Sequence, residues 1–477
     1  MKRIIPIMTE LPREARAGRR LTNWPLLGRA LRQGWLMTTL RVFVLGLLGV
    51  AVVTGLRAED ARSGLSLLLM WGVFWPLFMV VITPTLGNAF CAVCPHGFVG
   101  KWLNRIGLRR RFPARLRGVW ISLAMLVLGY WVIAFAMPGL LSSSTRATAW
   151  YFLIFTILAF GVFFIFKDMA WCKHVCPLGR LLASHGRVGV LHIETEQEEC
   201  ASCRSFECAR ACSYHLSPFR FAERNDMGAC TLCSDCVTAC DSAHLSLRAP
   251  GQGLRRPILG QDRHEAWIFV ILLGVAGVGI QLLHGLGHSA LQPYLPWVHA
   301  GHWLHERLPL ETASFDLGRL LALLVGVLAS VGVAAWAYTR VARRLVRPWL
   351  EVANTLACAL APLVLLALVP RALMRFATQS AHELVNHAGA LFGLSWNMAP
   401  LAERGDVWIG WLNVLPYVGA LWALWLLWQR AGLLVSAGSL RWRVWAYGGA
   451  PVWLYLAVVA LKLAAPWLVG PEVSHLH

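Results

Sequence analysis

Charged residues are scarce in this chain of 477 amino acids. Asp, Glu, Lys and Arg make up only 14% of it, whereas 57% of the residues are hydrophobic and 24 are tryptophan. No soluble fold needs so many residues in long apolar stretches. The composition therefore excludes a soluble globular protein and indicates one that crosses a membrane several times.

Acidic residues are the scarcer of the two charged kinds, with 24 Asp and Glu against 44 Lys and Arg, and the formal net charge is +20. Such an excess of basic residues can mark a nucleic-acid-binding protein. Here the basic residues cluster beside the apolar runs, where they contact anionic lipid head groups, so we expect no nucleic acid partner.

A secretory signal is also missing. The first 34 residues are polar and rich in arginine, and they contain neither an apolar core nor a small-residue cleavage site. We therefore expect residues 1–34 to form a basic segment that stays in the cytoplasm.

Nine apolar runs are long enough to cross a bilayer as helices. They occupy residues 35–56, 65–82, 119–137, 149–166, 266–283, 320–338, 349–369, 407–428 and 444–468. With a cytoplasmic N-terminus every inner loop is basic, as at Arg109, Arg110 and Arg111, and the positive-inside rule supports this orientation. It predicts a C-terminus outside and a cytoplasmic segment between the fourth and fifth runs.

Eight cysteines crowd into that cytoplasmic segment. They form two runs, Cys200, Cys203, Cys208 and Cys212, then Cys230, Cys233, Cys236 and Cys240. The second run has the C-x2-C-x2-C-x3-C spacing of ferredoxin loops, in which three thiolates bind one [4Fe-4S] cluster and the fourth reaches a neighbouring cluster. This spacing predicts two clusters, one held by Cys230, Cys233, Cys236 and Cys212 and the other by Cys200, Cys203, Cys208 and Cys240.

The first run departs from the ferredoxin loop. Four residues separate Cys203 from Cys208, and Ser213 and Asp241 stand where the usual proline would follow each run. The alternatives are two zinc sites, which also take four thiolates, and a disulfide frame, which a reducing cytoplasm disfavours. The unbroken spacing of the second run favours clusters over zinc.

Four more cysteines lie in a pattern that occurs twice. The second apolar run is followed by Cys91-Ala92-Val93-Cys94-Pro95, and the fourth is followed by Cys172-Lys173-His174-Val175-Cys176-Pro177. In both, an aromatic residue precedes the first cysteine and a glycine stands two residues after the proline. We call these the Cys-Pro motifs. Their repetition predicts a duplicated two-helix unit that can bring four thiols together.

Proline disfavours helix at the cysteine before it, which suits a turn that exposes sulfur at the membrane surface. Cys91, Cys94, Cys172 and Cys176 could hold a third cluster, bind copper or iron, form a redox-active dithiol, or only pack in tight turns. The remaining Cys358 is expected to be a small buried apolar residue.

Histidines gather in the predicted outer loops, at His284, His288, His299, His302, His305, His382 and His387, with His475 and His477 in the tail. Spacings of three and four residues would present them along one face of a helix. Neutral imidazoles can bind copper, iron or zinc, and a pair from two helices can hold a haem. The alternative is that they are interfacial side chains bonded to water and loop carbonyls.

The Cys-Pro motifs at the ends of membrane hairpins, followed by a cytoplasmic two-cluster segment, resemble the membrane polyferredoxins. That family includes the quinol-oxidising membrane subunit of periplasmic nitrate reductase, the membrane regulator of nitrous-oxide reductase and the accessory protein of cbb-type oxidase assembly. The resemblance implies that electrons pass between the cytoplasm or the quinol pool and extracytoplasmic redox or metal-handling partners. It also implies a redox or metal role for the four motif cysteines.

The chain departs from single members of that family. It has no room between its third and fourth apolar runs for the flavin domain of the nitrous-oxide regulator. Where the oxidase accessory protein ends in a soluble domain, this chain continues through four more helices. In that respect it is similar to the polyferredoxin component of bacterial iron-uptake systems, which implies an iron permease and periplasmic metal-binding proteins as partners.

We therefore expect an all-α protein of a bacterial inner membrane, with about nine helices and a small ferredoxin-like cytoplasmic insert. The predicted units are the segment 1–34, a four-helix core at 35–180, the insert at 181–263 and a unit of about five helices at 264–477. The expected function is electron transfer within a membrane complex, not that of a stand-alone enzyme. The alternatives are a copper or iron reductase or assembly factor for a respiratory metalloenzyme, and a transporter or structural subunit whose clusters are structural.

Overall fold

The computed structural model describes residues 19–58, 64–137, 140–141, 143–225, 227–259, 261–308, 315–403, 405–436 and 438–469, and these are mostly helical. Eight helices in the described part are long and apolar enough to cross a membrane. Their bounds are Trp35–Arg57, Leu65–Leu86, Thr145–Ile165, Glu265–His288, Leu317–Leu345, Trp349–Ala390, Val407–Leu434 and Ala450–Val469. The prediction of a helical, multi-pass membrane protein is therefore confirmed.

The ninth predicted span, at residues 119–137, is a shorter apolar helix. Trp120–Val132 continues directly into Ile133–Ala136. The two together rise about 26 Å, slightly less than the roughly 30 Å of a hydrocarbon layer. A crossing at this position stays a prediction.

Two helices form the centre of the bundle. In their most apolar stretches, 78% of the residues of Glu265–His288 and 72% of those of Trp349–Ala390 are buried, against 17% for Trp35–Arg57. Small residues bring the first of these close to its neighbour, because a Cβ at Gly326 would lie only 2.6 Å from the Cα of Gly279. Such contacts let membrane helices pack through their backbones.

The helix Trp349–Ala390 corrects one sequence-based expectation. The sequence predicts an apolar run that ends at residue 369 and is followed by an outer loop, but the chain stays helical through Pro370 and on to residue 390. Arg371 and Arg375 end the apolar run without ending the helix. His382 and His387 therefore lie on a helix that extends beyond the length needed to span a bilayer.

Side-chain caps explain where two of the spans begin. Ser144 Oγ accepts a hydrogen bond from the N–H of Ala147 at 3.1 Å, and Asp316 Oδ1 accepts one from the N–H of Arg319 at 2.9 Å. Each cap satisfies a backbone donor that the first helical turn leaves without a partner.

Shorter helices connect the spans and build the segment that carries the eight cysteines. They include Pro25–Arg32, Ala89–Val93, Pro95–Ile106, Pro177–His185, Gln197–Ser202, Glu207–Arg210, Phe221–Arg224, Asp235–Ala239, Pro296–Arg307 and Gly438–Gly448.

A small antiparallel sheet supports that segment. Strand β2 (Leu191–Thr195) pairs with β3 (Ala243–Leu247), so that Ile193 lies opposite Leu245, and these two side chains are buried beside the cysteines. Strand β1 (Arg19–Arg20) pairs with the other edge of β3. The residues just before the first span thus pack against the cysteine-rich insert, a contact that spans more than 200 positions of sequence.

Candidate functional site

Each Cys-Pro motif ends one helical turn and begins the next helix. The backbone is not helical at Cys94 (ψ 124°) and Cys176 (ψ 118°), and the helices Pro95–Ile106 and Pro177–His185 start immediately after them. Proline is favoured at a first helical position, where its missing N–H costs nothing, and it holds the preceding residue out of the helical region. The predicted turn at these two cysteines is confirmed.

The two motifs meet. One cavity of about 310 Å³ is lined by Cys91, Cys94, Cys172 and Cys176, which we call the Cys-Pro set. Glycine permits the close approach, because a Cβ at Gly179 would lie 2.6 Å from the carbonyl oxygen of Cys172. The four thiols of the sequence repeat therefore line one cavity.

Burial governs the protonation of these thiols. It raises the pKa of Cys91 well above its usual value, and the charges of the other three cysteines raise it further. Burial, followed by the charge of Cys94, raises the pKa of Cys176 to about 12, although the N–H of Gly179 donates to its sulfur at 3.3 Å. Thiols with such raised pKa values are poor free nucleophiles, but they lose their protons when a metal binds. The site suits metal ligands better than a free dithiol.

Four of the insert cysteines surround a second, small cavity of about 20 Å³. They are Cys212, Cys230, Cys233 and Cys236, which we call the proximal set. The cavity is otherwise walled mainly by apolar side chains, among them Ile193, Leu216 and Phe221. Four thiols around a mainly apolar space are the donor set of a cubane cluster.

The other four, Cys200, Cys203, Cys208 and Cys240, form the distal set. Burial raises the pKa of Cys208 to about 11, and charges on Cys240 and Cys200 contribute. Burial also raises the pKa of Cys200, which is influenced by Cys240 and Cys203. Four cysteines that the spacing assigns to one cluster thus line one cavity, whereas the assignment of ligands to two clusters stays a prediction. Nowhere in the described part of the chain do three Cys, His, Asp or Glu side chains stand close enough to hold one metal ion.

The three sets are adjacent to one another. Cys208 of the distal set is close enough to affect the pKa of Cys236 in the proximal set. Cys230 lines both the proximal cavity and the cavity of the Cys-Pro set, as does Tyr214. The order is distal, proximal, Cys-Pro, and it leads from the insert to the membrane bundle.

Three residues that the sequence did not single out hold this junction together. The hydroxyl of Tyr214 donates to Cys172 Sγ at 3.5 Å, and the amide of Asn88 donates to the carbonyl of Cys230 at 2.8 Å. Arg41, buried in the first span, donates to the carbonyl of Ala92 at 2.9 Å. It also reaches the carbonyl of Cys233 at 2.7 Å. The one sequence signal for a role of Tyr214 and Asn88 at this junction is that each lies within three residues of a cysteine.

The cavity of the Cys-Pro set extends beyond the sulfur atoms. Apolar side chains, including Val44, Phe74 and Phe155, form part of its wall. Elsewhere the wall carries two ion pairs. Arg180 lies 3.4 Å from Asp262, and Arg187 lies 2.7 Å from Glu265, whose side chain is buried. The cavity therefore combines apolar surface with carboxylates that are paired.

The predicted histidines do not form one site. His288, His302 and His305 line a separate cavity of about 450 Å³, and the ring of His284 stacks 5.6 Å from that of His288. His299 does not line it. His382 and His387 lie on the far part of Trp349–Ala390, where His387 Nδ1 is 2.9 Å from the carbonyl of Glu383. His475 and His477 lie outside the described residues.

Two stretches of the chain, residues 67–113 and 148–190, match a family described as a 4Fe-4S binding domain. Each stretch contains one apolar helix and one Cys-Pro motif. The same family thus matches the chain once at each Cys-Pro motif, and the duplicated two-helix unit stays a prediction.

Three curated proteins are similar to parts of the chain. The Escherichia coli protein named "Putative electron transport protein YccM" is 25% identical over 292 residues, which cover 54% of this chain and 74% of that protein. The uncharacterized protein MJ0749 of Methanocaldococcus jannaschii is 26% identical over 36% of this chain and 69% of that protein. The uncharacterized protein MJ0750 of the same organism is 25% identical over 35% of this chain and 75% of that protein. These similarities support an iron-sulfur electron-transfer protein. No solved structure matches the chain.

Proposed function

We propose that this chain is an integral membrane protein that carries [4Fe-4S] clusters on the distal, proximal and Cys-Pro sets. It would pass electrons between the cytoplasm or the quinol pool and redox or metal-handling partners on the other side of the membrane. The observation that carries the proposal is the shared wall of the two cavities, because Cys230 and Tyr214 border both the proximal set and the Cys-Pro set.

The donor atoms fit such clusters. Thiolates are the usual ligands of iron-sulfur clusters, and each of the three sets supplies four. In the Cys-Pro set the helices Pro95–Ile106 and Pro177–His185 begin directly at two of the ligands, so their N-terminal dipoles and N–H groups favour negative charge on sulfur. A bound cluster would accept and release single electrons.

The paired carboxylates suggest what the Cys-Pro cavity receives. Oxidation of a quinol releases two electrons and two protons, so a quinol site needs apolar walls for the ring, an electron acceptor and proton acceptors. Apolar side chains such as Phe74 and Phe155 and the thiols share this space with the carboxylates of Asp262 and Glu265, which would take up the protons by releasing their arginine partners. The cavity therefore best suits a quinol, either as the electron donor or as the product of quinone reduction.

The basic residues near this end of the bundle support a cytoplasmic insert and a bacterial inner membrane as its location. Arg109, Arg110 and Arg111 are solvent-exposed. The backbone of Arg110 pairs with Ile165 and Lys167, just before the second Cys-Pro motif. Cytoplasmic loops of membrane proteins carry such excess positive charge. The remaining helices offer a surface for an iron permease or a periplasmic partner protein, as the iron-uptake resemblance implies.

Cysteine variants of the whole protein test the proposal. The protein is purified without oxygen, reduced with dithionite and examined by electron paramagnetic resonance, together with iron and copper analysis. Cys91→Ser and Cys172→Ser should each remove one signal and lower the iron content by about a third, because each takes one of three clusters. Cys233→Ser should remove a different signal.

Cys358→Ala is the matched control, since Cys358 is fully buried but belongs to none of the three sets. It should leave all signals in place. A protein whose Cys91→Ser variant keeps every signal has no cluster on the Cys-Pro set. If the wild type binds copper and that variant does not, the Cys-Pro set is the copper site of a metal reductase and holds no cluster.

A further inference from the structure

A second cavity lies at the opposite end of the Glu265–His288 helix from the Cys-Pro set. Glu265 borders the cysteine cavity, whereas His288 borders this one, whose volume is about 450 Å³. The other walls come from Pro296–Arg307 and from the start of Leu317–Leu345. The cavity thus joins three helical segments.

Backbone contact fixes two of these segments against each other. A Cβ at Gly301 would lie 2.7 Å from the Cα of Gly318, so only glycine allows Pro296–Arg307 to approach the beginning of the next span this closely. The imidazoles that face the cavity are therefore carried by a frame with little freedom to open.

Three imidazoles line the cavity from two directions. His288 comes from the end of the span, and His302 and His305 come from one face of the short helix, three residues apart. The ring of His284 stacks against that of His288 at 5.6 Å, with 24° between the planes. His299 lies on the same short helix but is not part of the wall.

The charges in the wall do not oppose a cation. Among the wall residues that the structure describes, Arg319 carries the only guanidinium group and Asp316 the only carboxylate, and Asp316 Oδ2 pairs with Nε of Arg319 at 3.0 Å. Gln292 contributes a neutral amide oxygen.

We propose that this cavity binds a divalent first-row transition metal ion through His288, His302 and His305. Imidazole suits zinc, copper, nickel and iron, whereas calcium and magnesium take oxygen ligands. The wall also carries apolar side chains such as Trp297 and Phe315, but its three imidazoles supply the nitrogen ligands that a single metal ion takes. In the described chain the three rings do not meet at one point, and His288 and His302 are exposed, so metal binding would have to draw the rings together by side-chain rotation.

The site is independent of the clusters, because no cysteine lines it. If the cavity binds no metal ion, the proposed electron transfer through the clusters is unaffected.

Equilibrium dialysis with Ni²⁺ tests the site on the intact, cluster-loaded protein, purified without a histidine tag. His475→Gln and His477→Gln form the background, so that the tail contributes no ligands. We expect one saturable Ni²⁺ per chain, displaced by Zn²⁺ but not by Ca²⁺. His288→Gln, His302→Gln and His305→Gln should each weaken binding roughly tenfold or more, as expected for the loss of one ligand.

His299→Gln is the matched control, because it changes the same helix outside the cavity wall. Its affinity for Ni²⁺ should equal that of the background protein. The proposal fails if the background protein shows no saturable Ni²⁺ binding. It also fails if the triple variant of His288, His302 and His305 binds Ni²⁺ as tightly as the background protein. A third contradicting result is that His299→Gln weakens Ni²⁺ binding as much as the wall variants do.

Discussion

The hydroxyl of Tyr214 donates a hydrogen bond to the sulfur of Cys172 over 3.5 Å. Tyr214 stands two residues after Cys212 of the insert, whereas Cys172 belongs to a membrane hairpin. The bond therefore joins two units that are separate in sequence, and it does so at the sulfur atom of a proposed cluster ligand.

Tyr214→Phe should lower the midpoint potential of the centre on the Cys-Pro set. A donor to a ligand sulfur stabilises the more negative, reduced state, so its loss makes reduction harder. A bond worth about 0.5–1.5 kcal/mol corresponds to roughly 20–60 mV for one electron. Redox titration followed by electron paramagnetic resonance measures the shift. Exposed Tyr294→Phe should leave every potential unchanged, and an unchanged potential in Tyr214→Phe would show that the bond has no electronic role.

Arg41→Met should destabilise the junction between the first span and the insert. The buried guanidinium satisfies the carbonyls of Ala92 and Cys233 and lies 3.6 Å from Asp235, so the variant leaves these groups without their donor. We expect a loss of about 2–4 kcal/mol in the free energy of unfolding and faster loss of iron in air.

A matched control for this variant is Arg220→Met. Arg220 forms an exposed ion pair with Glu223, three residues away on the chain. Such pairs contribute less than about 1 kcal/mol. Equal destabilisation by the two variants, measured by thermal unfolding in detergent, would contradict the role of Arg41.

Glu265→Gln should be strongly destabilising, because it leaves the buried guanidinium of Arg187 facing a neutral amide. Glu265 and Arg187 are 5% and 8% exposed and lie 2.7 Å apart. Breaking a buried pair from one side costs about 3–5 kcal/mol, whereas removing both charges costs less. The double variant Arg187→Met/Glu265→Gln should therefore regain part of the lost melting temperature. A double variant less stable than Glu265→Gln would show that the pair is not the cause.

Acidification should destabilise the protein in part through His185. Burial lowers its pKa to about 3, while an unfolded histidine has a pKa near 6.5. The unfolded state therefore binds the proton first, and stability is complete above about pH 6.5 and falls as the pH drops toward 3. At pH 5 the loss is about 2 kcal/mol. His185→Asn should flatten the fall in melting temperature between pH 7 and pH 5, and an unchanged slope would exclude His185 as a contributor.

The sequence predicts the spans and the Cys-Pro turns well because both follow from local chemistry. Apolar length decides which helices can cross a bilayer, and proline decides the backbone at Cys94 and Cys176. The end of the Trp349–Ala390 helix could not be read in this way. Arg371 and Arg375 end the apolar run there, but arginine is a good helix former, so the helix continues past that run.

Contacts between distant parts of the chain could not be predicted from local patterns. The pairing of Arg20 with Ser246 in the sheet, and the contact of Arg41 with Cys233, join residues about 200 positions apart. The histidine spacing placed His299, His302 and His305 on one helix, but only the packing of Gly301 against Gly318 decides which of them face the cavity.

The central claim is that three sets of four cysteines hold iron-sulfur clusters, and the iron and acid-labile sulfide content of the wild-type protein tests it most directly. Purified without oxygen, the intact chain should contain about 12 iron and 12 sulfide per molecule. Colourless protein with no sulfide, or thiols occupied by zinc, would contradict the account.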